Sequence, residues 1–294
     1  MKSYFPEKVL PYLLVAPSII IIIIFLVYPF IQAIWGSLIR GGVWGVNTRF
    51  VGLGNYVELF TSPDYLWTLG RTFMFATFAT LGGMAFSLGL AVLLNQKIKG
   101  RMFFRTAVIW PYALSPVIAG VLWALLFDPS SGLFTYLAEV MFGLELNWRT
   151  DGTLAFIIIT IAAAWKNIGY NVVFFLAGLQ NVPKQVLESA EVDGASSFQR
   201  FWKISIPLIS PTIFFLLIMN YLYAFFRTFG LVDVATQGGP GKSTEILTYK
   251  LYKDAFVFFD GGSANAQSVL LFIFIVGFTY LQFRYAQRGV FYGS

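Results

Sequence analysis

The chain has 294 residues, 57% of them hydrophobic and only 12% charged, and its mean hydropathy is +0.72. Soluble domains carry about 25% charged residues, so there is too little polar surface here to cover a water-facing globule, and lipid is the implied solvent. The absence of Cys and His excludes a thiol nucleophile, a disulfide framework, a histidine base and the usual zinc sites.

The net charge of +6 reads as the Lys and Arg that collect on the cytoplasmic side of membrane proteins, not as nucleic-acid affinity. A membrane-crossing helix needs about 20 mostly apolar residues. The first such stretch covers about 12–35 and contains the run from Ile19 to Ile24, preceded by Lys2 and Lys8. Its apolar run is too long for a cleaved signal, so it reads as an uncleaved first span. Further spans are expected at about 72–94, 106–127, 154–179, 208–229 and 264–283. The third holds Pro111 and Pro116, which membrane helices tolerate when neighbours satisfy the freed carbonyls. The expected architecture is one all-α integral membrane domain, 1–294, with six transmembrane helices.

Charge sets the orientation. Lys97, Lys99, Arg101 and Arg105 crowd the second connection, Lys184, Arg200 and Lys203 lie in the fourth, and Arg284 and Arg288 follow the last span. By the positive-inside rule both termini are cytoplasmic. Lys242, Lys250 and Lys253 fall on the expected outer side, in a connection long enough to weaken the rule.

The connection 180–207 carries its own structural signals. Asn181 can cap a helix that opens at Pro183 and runs to about Val192. Gly194 can take the left-handed conformation that ends it, and Ser196 or Ser197 can cap a second short helix. The outcome is a cytoplasmic helix–Gly–helix finger bearing Glu188, Glu191, Asp193, Phe198, Phe201 and Trp202. An amphipathic loop on the membrane surface and a knob seated in a partner subunit both fit those side chains.

The run Glu188-Ser-Ala-Glu-Val-Asp-Gly-Ala195, followed by Phe201, Ile204, Ile206-Pro207 and Pro211, resembles the "EAA" coupling loop of ABC importer permeases. Ser189 replaces an Ala of that pattern, and Ile206 replaces a Leu. The likeness spans nearly the whole chain through Trp110-Pro-Tyr-Ala113, Trp165-Lys166, Tyr170-Asn171, Asn220, Tyr223-Ala-Phe-Phe226, Gly238-Gly-Pro240 and Gln282-Phe-Arg284. It points to the carbohydrate, maltose-type family, and within it to the first permease subunit of sn-glycerol-3-phosphate importers. The chain departs from that subunit's pattern at Arg227, where an acid is usual.

The resemblance implies a bacterial inner-membrane importer. This chain would pair with a second homologous permease, two ATPase subunits that bind ATP and Mg, and an extracytoplasmic substrate-binding protein. Glu188, Ser189, Ala190, Asp193, Gly194, Ala195 and Phe198 would then form the ATPase-coupling surface. The solute implied is sn-glycerol 3-phosphate, with a neutral sugar or oligosaccharide as the alternative. No cofactor of its own is implied for this chain.

Ionisable residues inside spans are candidates for function, because a Lys at the bilayer centre costs about 2.5–3.5 kcal/mol. Lys166 and Tyr170 are four apart on the fourth span, as are Asn167 and Asn171, and Asn220 and Arg227 lie on the fifth. These six fit either a substrate path or interhelical hydrogen bonding. The stretch 238–244, Gly-Gly-Pro-Gly-Lys-Ser-Thr, imitates a phosphate-binding loop but has Thr236 where that pattern needs Gly. A membrane-embedded enzyme would need acids or nucleophiles at depth, and a secondary transporter would favour buried carboxylates or inverted repeats. Neither is present within the spans, so neither a catalytic nor a metal-ligating set is expected.

Overall fold

A computed structural model describes residues 10–41, 48–96 and 99–289. Lys2, Lys8 and Lys97 therefore lie outside the described residues, as does the side chain of Arg288. The chain forms two compact units, one drawn from Met1–Leu66 and Leu251–Phe274 and the other from Trp67–Lys250 and Ile275–Ser294.

The first unit opens with α1 (Leu10–Ile22), a π-helical turn (Ile23–Val27) and α2 (Tyr28–Ser37). Together they give an apolar helix, Tyr12–Ser37, whose most apolar stretch buries none of its residues. A two-residue ladder follows, β1 (Ile39–Arg40) antiparallel to β2 (Arg49–Phe50) with Ile39 opposite Phe50. Next comes α3 (Gly54–Thr61). Its buried Asn55 donates to the Ser37 and Ile39 carbonyls at 2.8 and 3.0 Å, which satisfies backbone acceptors just past the end of α2.

The second unit contains most of α4 (Pro63–Asn95), then α5 (Arg101–Ala113), α6 (Pro116–Leu126), α7 (Leu133–Phe142), α8 (Gly152–Gln180), α9 (Lys184–Val192) and α10 (Ser197–Arg200). A second π-helical turn (Phe201–Ser205) leads to α11 (Ile206–Leu208), α12 (Ser210–Phe226) and α13 (Phe229–Ala235). The chain returns through α14 (Leu247–Tyr252) and a third π-helical turn (Lys253–Val257) to α15 (Gly261–Gly289). Phe75, Trp123, Ile159, Tyr221, Phe225 and Leu231 anchor one buried cluster, and Met84, Val172, Phe175 and Leu216 anchor another.

Two of the π-helical turns end two residues before a proline, Pro29 and Pro207. A proline ring clashes with the carbonyl four residues back and supplies no N–H. Widening the ladder by one residue relieves both problems.

Four helices are long and apolar enough to cross a membrane unbroken: Tyr12–Ser37, Pro63–Asn95, Gly152–Gln180 and Gly261–Arg284. Two further pairs qualify only together, so the count is six if each bent pair is one span. The expected third span at 106–127 is not one continuous helix: α5 and α6 meet at 105°. Leu114 and Ser115 are extended, with ψ of 146° and 154°. Pro116 pushes Ser115 out of the helical region, and the Ser115 hydroxyl then caps α6 by accepting the Ile118 N–H. The fifth span likewise starts at Ser210, not Leu208, after a 67° bend from the 197–208 segment. The last begins at Gly261, three residues before the expected Ala264.

At the α6–α7 corner the Asp128 carboxylate accepts from the backbone and hydroxyls of Ser130 and Ser131 and pairs with Arg149 at 2.7 Å. The Ser130 hydroxyl contributes most to drawing its pKa down to about 2. The 238–244 loop closes on itself: the Thr244 hydroxyl donates within reach of Thr236 Oγ1 (2.7 Å) and the Gly239 carbonyl (2.9 Å), and the Lys242 carbonyl accepts from Arg71.

Candidate functional site

The polar residues of α8 and α12 separate into two groups. The first is a clasp. Asn220 Oδ1 accepts from Asn167 Nδ2 at 2.6 Å and from Asn171 Nδ2 at 3.1 Å. Asn220 Nδ2 donates to Asn171 Oδ1 at 2.6 Å and to the Leu216 carbonyl at 2.8 Å. All three amides are buried; Asn220 uses both lone pairs and one N–H to tie α12 to α8, and its other N–H bonds within α12. Replacing Asn220 with Leu orphans the Asn171 carbonyl and the Asn167 and Asn171 donors, a penalty of about 1–3 kcal/mol per buried group. The expected result is a lower melting temperature of the detergent-solubilised permease, and unchanged melting would refute the clasp.

The second group lines a cavity of about 600 Å³ walled by α5, the start of α6, α8 and α12. Lys166, Asn167, Tyr170 and Arg227 all reach it, together with Tyr112, Tyr223 and Phe226. Asn171 and Asn220 do not line it. Lys166 is 5% exposed. Its ammonium sits 5.5 Å from the Tyr112 ring centre and 5.7 Å from that of Tyr223. Cation–π contacts of that kind recover about 0.5–2 kcal/mol, a fraction of the cost of burying the charge. Among the described residues no carboxylate pairs with Lys166 or Arg227, and the lining contains no acid. Two cations and no anion in one wall give the cavity a positive potential, which favours negative charge.

The cavity wall between α5 and α8 depends on a close approach. Gly169 lies against α5, where a Cβ would fall 2.8 Å from Ile109 Cα and 2.9 Å from the Ile109 and Val108 carbonyl oxygens. That contact brings Tyr112 beside Tyr170, with ring centres 5.4 Å apart and stacked. A larger cavity of about 710 Å³, bordered by Phe78, Phe86, Phe156 and Trp165, carries no charged side chain. Its Thr160 hydroxyl is spent on the Phe156 carbonyl at 2.6 Å. It therefore offers a solute no charge, and its side chains are otherwise largely apolar.

Tyr112 and Tyr223 were absent from the expected path. Asn220, Tyr223 and Arg227 share one helical stripe (i, i+3, i+7), which could have found Tyr223. Tyr112 enters only through the tertiary contact at Gly169.

The finger at 180–207 is built by local rules. α9 ends in a Schellman turn: the Ala195 N–H reaches the Ala190 carbonyl at 2.9 Å, the Gly194 N–H reaches Glu191 O at 3.0 Å, and Gly194 has φ +84°. Ser196 and Gln199 form a reciprocal capping box that starts α10. Arg200 pairs with Glu191 across the corner and donates to Ser197 Oγ at 3.2 Å. The Ser189 hydroxyl is satisfied by the Gln185 carbonyl at 2.9 Å. One expectation is corrected: Asn181 caps the end of α8, Pro183 occupies the N-cap of α9, and no side chain caps that start. Glu188, Asp193 and Phe198 are exposed. The apolar Val192 is 87% exposed beside Phe198 at 72%, so the finger presents an unburied apolar tip.

The family of binding-protein-dependent transport system inner membrane components matches residues 83–288. The chain belongs to that family. It is a permease of an ABC importer, an inner-membrane protein with several apolar helices. A sn-glycerol-3-phosphate transport system permease protein of Rhizobium meliloti (strain 1021) is 44% identical over 292 residues, 99% of each chain. Its counterpart of the same description in Escherichia coli O157:H7 is 43% identical over 99% of this chain and 98% of its own. Among solved structures, a bacterial ABC transporter involved in the import of the acidic polysaccharide alginate contains a chain of the same fold. It has a TM-score of 0.82 and 22% identity, over 95% of both chains. The family match takes in the finger, the clasp and the cavity, while the helix Tyr12–Ser37 lies outside it.

Proposed function

We propose that this permease forms half of a translocation path for a phosphate-bearing polyol, sn-glycerol 3-phosphate, delivered by an extracytoplasmic binding protein. The carrying observation is the 600 Å³ cavity with Lys166 and Arg227 in its wall and no carboxylate. The shared description of the 44% and 43% identical relatives supports the same solute. Charge-assisted hydrogen bonds to a phosphate outweigh those to neutral hydroxyls roughly twofold, so a dianion gains most from this lining. A neutral sugar is the second reading, favoured by the four aromatic residues Tyr112, Tyr170, Tyr223 and Phe226 of the same wall.

The remaining parts of the machine follow from the permease role. The unburied apolar face of Tyr12–Ser37 suits a second, homologous permease or lipid. The finger, with Glu188, Ser189, Ala190, Asp193, Gly194, Ala195 and Phe198, seats in one of two separate ATPase subunits that hold ATP and Mg. That arrangement requires the finger and both termini to be cytoplasmic, in keeping with the Lys and Arg distribution. ATP-driven closure of the ATPase pair moves the finger as a rigid body, and the spans switch between outward- and inward-facing packings.

The deciding experiment measures ATPase activity of the complete reconstituted importer with binding protein loaded with sn-glycerol 3-phosphate or with a neutral disaccharide. Stimulation by the first alone is expected. Stimulation only by the disaccharide would replace the solute, and stimulation by neither would remove both readings.

A further inference from the structure

The Tyr223 hydroxyl is buried and makes no hydrogen bond among the described residues. It belongs to a side chain that lines the cavity, and its ring stands under the Lys166 ammonium at 5.7 Å. Elsewhere in the same wall Asn167 is committed to Asn220. A buried donor is normally partnered, and an orphan costs stability unless something else meets it. Phenylalanine would fill the same space without leaving a donor unpartnered.

We infer that Tyr223 is a specificity-determining binding residue whose hydroxyl donates to an oxygen of the solute's phosphate while Lys166 neutralises its charge. This rests on the proposed phosphate-bearing solute. Phenol and ammonium are brought to one spot from two helices, α12 and α8, that the asparagine clasp holds in register. Tyr112 supplies the opposite ring face for the ammonium at 5.5 Å. A phosphate drawing Lys166 off the two rings would exchange π faces for oxygen ligands. A neutral sugar also offers acceptors, so the phenol discriminates by joining a charged pair that a sugar cannot complete. Sites built to hydrogen-bond a substrate group lose discrimination steeply once the partner is removed.

The test is Tyr223→Phe in the complete reconstituted importer, with Lys166→Met beside it. Three quantities are read: uptake rate at saturating loaded binding protein, melting temperature of the empty complex, and the melting shift produced by millimolar sn-glycerol 3-phosphate. The expected pattern for Tyr223→Phe is uptake about tenfold slower, a higher melting temperature when empty, and a smaller solute-induced shift. Uptake within twofold of wild type overturns the inference. So does a lower melting temperature with proportionate loss of uptake, which marks a structural tyrosine. If Tyr223→Phe is silent while Lys166→Met loses uptake, only the tyrosine's role falls. If both are silent, the phosphate reading of the cavity falls with it.

Discussion

Lys166→Met is expected to slow solute uptake about 100-fold while subunit assembly and basal ATPase activity stay as in the wild type. Methionine keeps the length and most of the bulk of lysine, so the wall near Tyr112 and Tyr223 stays filled. On the proposed phosphate path, the substitution removes a charge-assisted bond to the solute, worth about 1.5–3 kcal/mol, or roughly 10- to 150-fold in rate. The upper part of that range applies, because Lys166 is 5% exposed and shares the cavity with no competing anion. The empty permease should at the same time gain thermal stability, since an unpaired ammonium at depth is costly and two ring faces offset only part of it. Lys166→Arg should restore part of the uptake by returning the charge. Uptake by Lys166→Met within twofold of wild type would show that Lys166 belongs to packing and not to the path. A simultaneous loss of assembly would support the same conclusion. Arg227 is exposed where Lys166 is buried, so its removal should cost less, because solvent already screens it.

Hydropathy made the spans legible and left their geometry hidden. A 20-residue apolar stretch announces itself whether or not it is straight, and the 105° break at residues 114–115 depends on how α6 lodges against α13. There Gly120 leaves room, a Cβ being 3.0 Å from the Leu231 carbonyl oxygen. Proline marked the place of the bend and said nothing of its angle. The finger was readable in near-complete detail because caps are local: Gly194 and the Ser196–Gln199 box need only their own neighbours. The polar residues of α8 divide for a geometric reason. Lys166 and Asn167 are adjacent, so their side chains leave α8 about 100° apart. The pair 166/170 therefore faces α5 and the cavity, while 167/171 faces α12 and the clasp. One apparent polar face is two, joined at Asn167, and only the position of α5 and α12 reveals it.

Gly194→Val is expected to abolish coupling between ATP hydrolysis and transport while the permease still inserts and keeps its cavity. Gly194 has φ +84°, and a Cβ built there meets nothing within 4 Å. The penalty is thus conformational and not steric. A residue with a Cβ pays about 1–2 kcal/mol in the left-handed region, and a β-branched one pays more. That competes directly with the Schellman bonds from Ala195 and Gly194 and the Arg200–Glu191 pair that hold the corner. Loss of the corner converts a stiff lever into a flexible loop, and the exposed tip at Val192 and Phe198 no longer arrives at its partner in fixed geometry. Gly194→Asn discriminates between explanations, because asparagine visits the left-handed region readily and is polar where valine is apolar. It should retain most coupling, read as the ratio of solute transported to ATP hydrolysed. If Gly194→Val couples as well as wild type, the corner is not what transmits movement. If Gly194→Asn fails as completely as Gly194→Val, the requirement is for an absent side chain at the partner's surface, and the backbone argument is wrong.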